Sequence, residues 1–162
     1  MIKIKKMEIF EWCYLQVGYR LLCLGTSSFN GNTDGQHRRW WASLHLTGNR
    51  WQQIALNYTL TANTVIEFDF SSNTEGEIHA FGFDTDLRQD KNFAFQLFGT
   101  QNWGIGSFNN YSSANGTQHY VTPVGQFYIG QMQYLFFVND HDVVPATAES
   151  LFSNIMVYEN TP

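Results

Sequence analysis

The sequence predicts an all-β fold in which two antiparallel sheets pack face to face as a β-sandwich. Three observations carry that prediction. Val65-Ile66-Glu67-Phe68-Asp69-Phe70 alternates, which puts Ile66, Phe68 and Phe70 on a buried face and Glu67 and Asp69 on the opposite one. From Ser43 onward, short apolar runs recur between clusters of Gly, Asn, Ser and Pro, the residues that turns require. Almost no stretch of helical length repeats its apolar residues with the helical period of about 3.6.

In chain order, residues 1–42 read as an atypical N-terminal segment and residues 43–162 as the sandwich. The first segment combines Trp12, Tyr14, Tyr19, Trp40 and Trp41 with an amphipathic stretch of ambiguous period, which suits a short helix or an edge strand. It is expected to pack on the sandwich or to extend it. Gly31 to Gly35 reads as a loop. Eight strands are then expected: Ser43 to Leu46, Trp51 to Tyr58, Val65 to Phe70, Glu77 to Phe83, Phe93 to Phe98, His119 to Thr122, Gln133 to Val138 and Phe152 to Tyr158. Turn-forming stretches at Thr47 to Asn49, Ser71 to Gly76, Gly104 to Thr117 and Val138 to Ala148 separate several of them. Tyr134 to Val138 is apolar at both parities, the pattern of a central strand covered on both faces.

A chain of 162 residues suits one domain with its own core. Only 14% of its residues are charged and 17% are aromatic, against about 25% charged in an ordinary soluble domain. The surface is therefore left to Asn, Gln, Ser, Thr, Gly and Tyr, which hydrogen-bond neutral polyhydroxyl ligands and equally serve an ordinary β surface. The net charge is −5, and every Lys and Arg lies at or before Lys91. Nucleic acid is not an expected partner, because no basic surface replaces its counterions. A membrane partner is not expected either, since no run approaches the roughly 18 to 20 apolar residues of a span. Met1 to Lys6 looks like the basic start of a signal peptide, but Glu8 and Glu11 interrupt the apolar stretch that should follow. Leu21-Leu22-Cys23 lacks the small residue that precedes a lipidated cysteine. Cys13 and Cys23 have no companion spacing of a zinc site and are either free thiols or one bridge.

Two constellations could carry a site. Glu67, Asp69, Glu75, Glu77, Asp84, Asp86 and Asp90 fall within 24 residues, and calcium takes about six to eight oxygens, often from loops at strand ends. Asp84 and Asp86 follow one predicted strand, and Asn139, Asp140 and Asp142 end another. Some of these five are expected to share one calcium ion; alternatively they solvate turns. The second constellation is aromatic and amide-rich: Gln101, Asn102 and Trp103, then Phe108, Asn109, Asn110, Tyr111 and Tyr120. An apolar platform with a few placed polar groups is the general form of a ligand site. Trp103, Asn102, Gln101, Tyr111, Tyr120 and Asp140 are the candidate ligand contacts, with a core role for Trp103 as the alternative. No catalytic residue is assigned: GxSxG, P-loop, dinucleotide and HExxH patterns are missing. Glu75 with Glu77 or Asp84 would supply only the paired carboxylates of a small glycoside hydrolase.

The run Leu44 to Trp51, the motifs Thr64 to Phe70, Gly76 to Asp84, Tyr120 to Tyr128 and Phe137 to Asp142, and the ending Phe152 to Tyr158 together resemble a bacterial carbohydrate-binding-module-like domain of the kind appended to secreted hydrolases and proteases. The resemblance implies a jelly-roll sandwich without catalysis of its own, frequent calcium, an extracellular setting and a polysaccharide or oligosaccharide ligand. Non-catalytic carbohydrate binding, assisted or stabilised by calcium, is accordingly the leading expectation. A structural or protein-interaction sandwich without a sugar ligand is the alternative.

Overall fold

The computed structural model describes residues 37–39, 43–88 and 90–160. Cys13, Cys23, the 31–35 loop and Trp40–Trp41 lie outside the described residues. Nine strands form: β1 (His37–Arg39), β2 (Leu44–Thr47), β3 (Arg50–Leu60), β4 (Thr64–Ser71), β5 (Ile78–Asp84), β6 (Ala94–Phe98), β7 (Gln118–Thr122), β8 (Gly130–Asp140) and β9 (Glu149–Glu159). They make two antiparallel sheets. In the first, β9, β4 and β7 lie side by side, and β1 and β2 both pair along the other edge of β9. The second has the order β3-β8-β5-β6. Among the described residues there is no α-helix, only short 3₁₀ turns.

The eight expected strands are all present, and β1 is added from the segment whose period was ambiguous. β4 shows the alternation directly: Ile66, Phe68 and Phe70 are sealed from water while Glu67 and Asp69 stay half-exposed. β8 lies between β3 and β5, and Leu135 to Val138 are buried at both parities. Its length exceeds the sequence expectation by several residues at each end, because pairing with β3 continues to Gly130 and pairing with β5 to Asp140.

The core is aromatic. Phe68 and Phe70 of the first sheet meet Phe152 of β9, and Phe68 crosses to Phe81 of the second sheet at 4.7 Å, edge to face. Phe137 and Phe152 also meet across the sheets, tilted at 55° with centroids 4.7 Å apart. Such contacts contribute about 0.5–1.5 kcal/mol each beyond the area they bury.

One buried polar chain joins the sheets at one end. The Gly76 amide donates to His79 Nε2 (2.7 Å), so the neutral ring carries its proton on Nδ1 and donates it to Ser150 Oγ (2.7 Å). Ser150 in turn donates to Asn139 Oδ1 (2.8 Å), and the Asn139 amide donates to the carbonyls of Ala148 (3.1 Å) and Gly48. His79 and Asn139 come from the second sheet and Ser150 from the first. Every member is satisfied, the condition under which a buried polar network is tolerated.

β9 carries a bulge opposite Phe68, since Glu67 faces Met156 and Asp69 faces Ser153. Asn154 takes it up at φ 54°, a conformation that asparagine adopts more readily than most residues. Its amide reaches Asp69 Oδ2 at 2.6 Å, and Asp69 Oδ1 lies 2.7 Å from His119 Nδ1. These contacts, the one from Asn154 foremost, hold the Asp69 carboxyl below its ordinary range.

Candidate functional site

The candidate site is the face of the second sheet turned away from the core. On β3 the core parity belongs to Ile54 and Leu56, so Trp51, Gln53 and Ala55 point the other way. The pairing register sets Trp51 opposite Val138, Val138 opposite Ala80, and Ala80 opposite Gln96. Below this row Gly82 lies under the Phe136 ring: a Cβ there would come within 2.6 Å of that ring and 2.1 Å of the Phe93 carbonyl. The small residues Ala80, Gly82 and Ala94 thus leave a shallow floor, walled by Ile78, Phe136 and Val138, on which larger rings can rest.

Trp103 supplies one of those rings. After β6 the chain turns at Gly99 and returns over the edge of the sheet. The Ile105 amide donates to Ala94 O (2.7 Å) and the Gln96 amide to Ile105 O (3.0 Å). Thr100 and Gln101 donate their amides to the carbonyls of Gly76 (3.2 Å) and Glu77 (3.0 Å). The Gln96 side chain, only 1% exposed, closes the turn from beneath: Oε1 accepts the Trp103 amide at 2.9 Å and Nε2 donates to the Gln101 carbonyl. Held so, the Trp103 ring meets Trp51 edge to face, centroids 5.1 Å apart and planes at 89°. Both rings pack against the cluster of Ile78, Ala80, Ala94, Phe136 and Val138, and both remain partly exposed. On the same face Gln53 Nε2 is out of water and has no hydrogen-bond partner among the described residues.

An acidic rim borders the Trp pair. Glu77 Oε1 accepts from Gln101 Nε2 (2.7 Å), and Oε2 accepts from the Asp142 amide (2.9 Å). The Asp142 contacts, backbone first and carboxyl second, hold Glu77 below its ordinary range, while the bond to Glu77 pushes Asp142 up. Asp140 continues the outward column of Phe136 and Val138; burial, and then the charges of Glu77 and Asp142, raise its carboxyl as well.

Of the expected ligand contacts, Gln101, Asn102, Trp103 and Asp140 come to this one end of the sheet. Gln101 and Asn102 are exposed beside Trp103. Tyr111 and Tyr120 do not join them. Tyr111 is buried with its hydroxyl fully used: its one proton goes to the Gly116 carbonyl (2.7 Å), with the Ser72 carbonyl at 3.1 Å as a second acceptor, and its oxygen accepts the Ser72 amide (2.9 Å). Tyr120 stacks on Phe68 and donates to Asn110. Both are core residues: Tyr120 occupies the inward parity of β7, and Tyr111 turns inward from the otherwise exposed loop before it.

The register does not bring all five expected calcium ligands together. Ile78 pairs with Asp140, whereas Asp84 pairs with Tyr134, six residues further along. At about 3.3 Å per residue the two acidic groups stand roughly 20 Å apart. Asp84 instead caps its own loop, accepting the amides of Thr85 (2.7 Å), Asp86 (3.4 Å) and Asp90 (3.3 Å), and Asp86 accepts that of Arg88. Asn139 is committed to the buried chain through Ser150. No group of three or more His, Cys, Asp or Glu among the described residues is placed to hold a metal ion. Of the expected glycosidase pairs, Glu75 with Asp84 is too far apart as well, since Glu75 precedes the start of β5 and Asp84 ends it, against about 5 to 9.5 Å between the carboxyls of such a pair. The Ser150–His79 contact is no nucleophilic dyad either: both residues are sealed from water, and the serine proton is directed at Asn139.

Trp51, Gln53 and Gln96 were not among the candidates. A signal for Trp51 was present, since it occupies the parity of its strand opposite Ile54 and Leu56. Gln96 carried none, because its role depends on a loop that returns from outside its strand.

No protein-family model matches the chain, and no curated protein matches it. Two solved structures are similar to it. One is a family 30 carbohydrate-binding module, 16% identical, with a TM-score of 0.41 over 90% of this chain and 87% of that one. The other is the family 30 carbohydrate-binding module of the cellulosomal cellulase Cel9D-Cel44B of Clostridium thermocellum, 16% identical, with a TM-score of 0.38 over 75% of this chain and 76% of that one.

Proposed function

We propose that this protein binds neutral polysaccharide without catalysing its breakdown, through the Trp51–Trp103 face of the second sheet. The observation that carries the proposal is the pair of partly exposed indoles, 5.1 Å apart and perpendicular, at the end of a sheet where the exposed Gln101 and Asn102 supply amides. Sugar rings offer C–H faces to aromatic rings and hydroxyls to amides, so an apolar platform edged by a few polar groups suits them. The acidic rim of Glu77, Asp140 and Asp142 works against uronic-acid or sulfated chains, leaving neutral ones.

Affinity gel electrophoresis in a panel of neutral polysaccharides tests this. At least one should retard the wild-type chain, and Trp103→Ala and Trp51→Ala should each abolish the retardation while keeping the sheet signal in circular dichroism. Retardation unchanged in both variants would refute the site. No retardation by any member of the panel would favour the alternative of an interaction domain whose Trp pair is packing. Gels run with calcium and with a chelator decide whether the ion assists. Incubation with the retarding polysaccharide should release no new reducing ends.

A further inference from the structure

We infer that Gln96 is the positioning residue of the proposed site: buried beneath the loop, it sets the Trp103 ring against Trp51. The inference rests on the carbohydrate-binding reading above and adds a residue that touches no ligand. Three features support it. Gln96 is 1% exposed, so its amide cannot exchange partners with water and must bond within the protein. Both ends of that amide are spent on one loop, Oε1 on the Trp103 amide and Nε2 chiefly on the Gln101 carbonyl, with a longer contact of 3.4 Å to Phe98 O. The two loop groups it holds flank Asn102, so one side chain fixes the turn that carries Gln101, Asn102 and Trp103 together. Its place in the sheet is also fixed, because Gln96 pairs with Ala80, whose small side chain opens the floor for the ring. The loop has other anchors, at Thr100, Gln101 and Ile105, but among the described residues only Gln96 hydrogen-bonds the Trp103 backbone itself.

The test uses the full chain and the polysaccharide that retards it. Gln96→Leu removes both amide contacts, leaving the Trp103 N–H and the Gln101 carbonyl unpaired. It should weaken binding about tenfold or more and diminish the near-ultraviolet dichroism of the Trp51–Trp103 pair, while the far-ultraviolet sheet signal stays. Gln96→Glu adds a readout that a merely structural role would not move. Its protonated carboxyl reproduces both contacts and its ionised form turns an oxygen on the Gln101 carbonyl. Its affinity relative to wild type should therefore recover as the pH falls from about 8 to about 5.5. Should Gln96→Leu fail to fold, this pH-dependent recovery carries the test alone. Wild-type affinity and tryptophan dichroism in Gln96→Leu, or a pH-independent affinity ratio for Gln96→Glu, would overturn the inference. Trp103→Ala separates the two levels: if it binds like wild type the Trp51–Trp103 site fails and the positioning role with it, whereas if it loses binding and the Gln96 variants do not, only the positioning role fails.

Discussion

Acid should destabilise this sandwich through His79. Its ring accepts the Gly76 amide on Nε2, so a proton arriving there would face an N–H instead of an acceptor. Burial, and then the nearby His141, lowers its pKa from 6.5 to about 4. The unfolded chain therefore binds a proton that the folded chain refuses between those two values. The stability tied to the neutral ring is complete above about pH 6.5 and is lost as the pH falls toward about 4, where the folded protein begins to protonate too. At about 1.36 kcal/mol per pKa unit the full contribution is about 3 kcal/mol, most of it gone by pH ~4.5. Urea titrations of wild type and His79→Leu at about pH 7.5 and 4.5 isolate the effect. The variant is less stable at neutral pH, having lost the bridge to Ser150, but the gap should close by about 2 to 3 kcal/mol in acid. A gap that stays constant between the two pH values would refute the assignment of a neutral, acceptor Nε2.

Further outcomes follow from single contacts. Trp103→Ala, at a ring only partly buried, should cost about 2 kcal/mol in denaturant titration, between a surface change and the 3 to 5 kcal/mol of a fully buried indole. Gly82→Ala should cost about 3 kcal/mol or more, because the added methyl meets the Phe93 carbonyl and the Phe136 ring, while Gly106→Ala, with nothing within 4 Å, should stay within about 0.5 kcal/mol of wild type. Asn154→Ala should lose about 1 to 2 kcal/mol from the left-handed conformation and the broken contact to Asp69; Asn154→Gly should lose less, and equal losses would count against the strain at φ 54°.

The fold was legible because burial writes itself onto alternate residues. Ile66, Phe68 and Phe70 declared the inner face of β4, and the doubly apolar run of β8 declared a central strand. Contacts between distant segments left no such trace. Asp84 and Asp140 both stand at strand ends, but which ends are neighbours depends on the antiparallel pairing of β5 with β8, and pairing is not written in either strand alone. Tyr111 illustrates the same gap. Amid Asn and Ser it read as a loop aromatic, yet its hydroxyl organises Ser72 and Gly116, partners from opposite sides in sequence. Trp103 was recognisable as a large ring in a glycine-rich turn, whereas its partner Trp51 and its support Gln96 came from strands whose relation to that turn only the folded chain defines.

The return of the chain from Gly99 to Ile105 has a consequence for solubility. β6 ends the second sheet, and an end strand offers unpaired N–H and C=O groups on which another chain can add a strand. Ile105 occupies those groups, bonding to Ala94 and Gln96 and bridging to Phe95 in parallel. The segment that presents Trp103 is therefore also the guard on that border of the sheet. Libraries that randomise residues 99–105 to probe the proposed carbohydrate site should yield aggregating members whenever Ile105 is displaced, and holding Gln96 and Ile105 fixed while varying positions 100 to 103 keeps the guard in place.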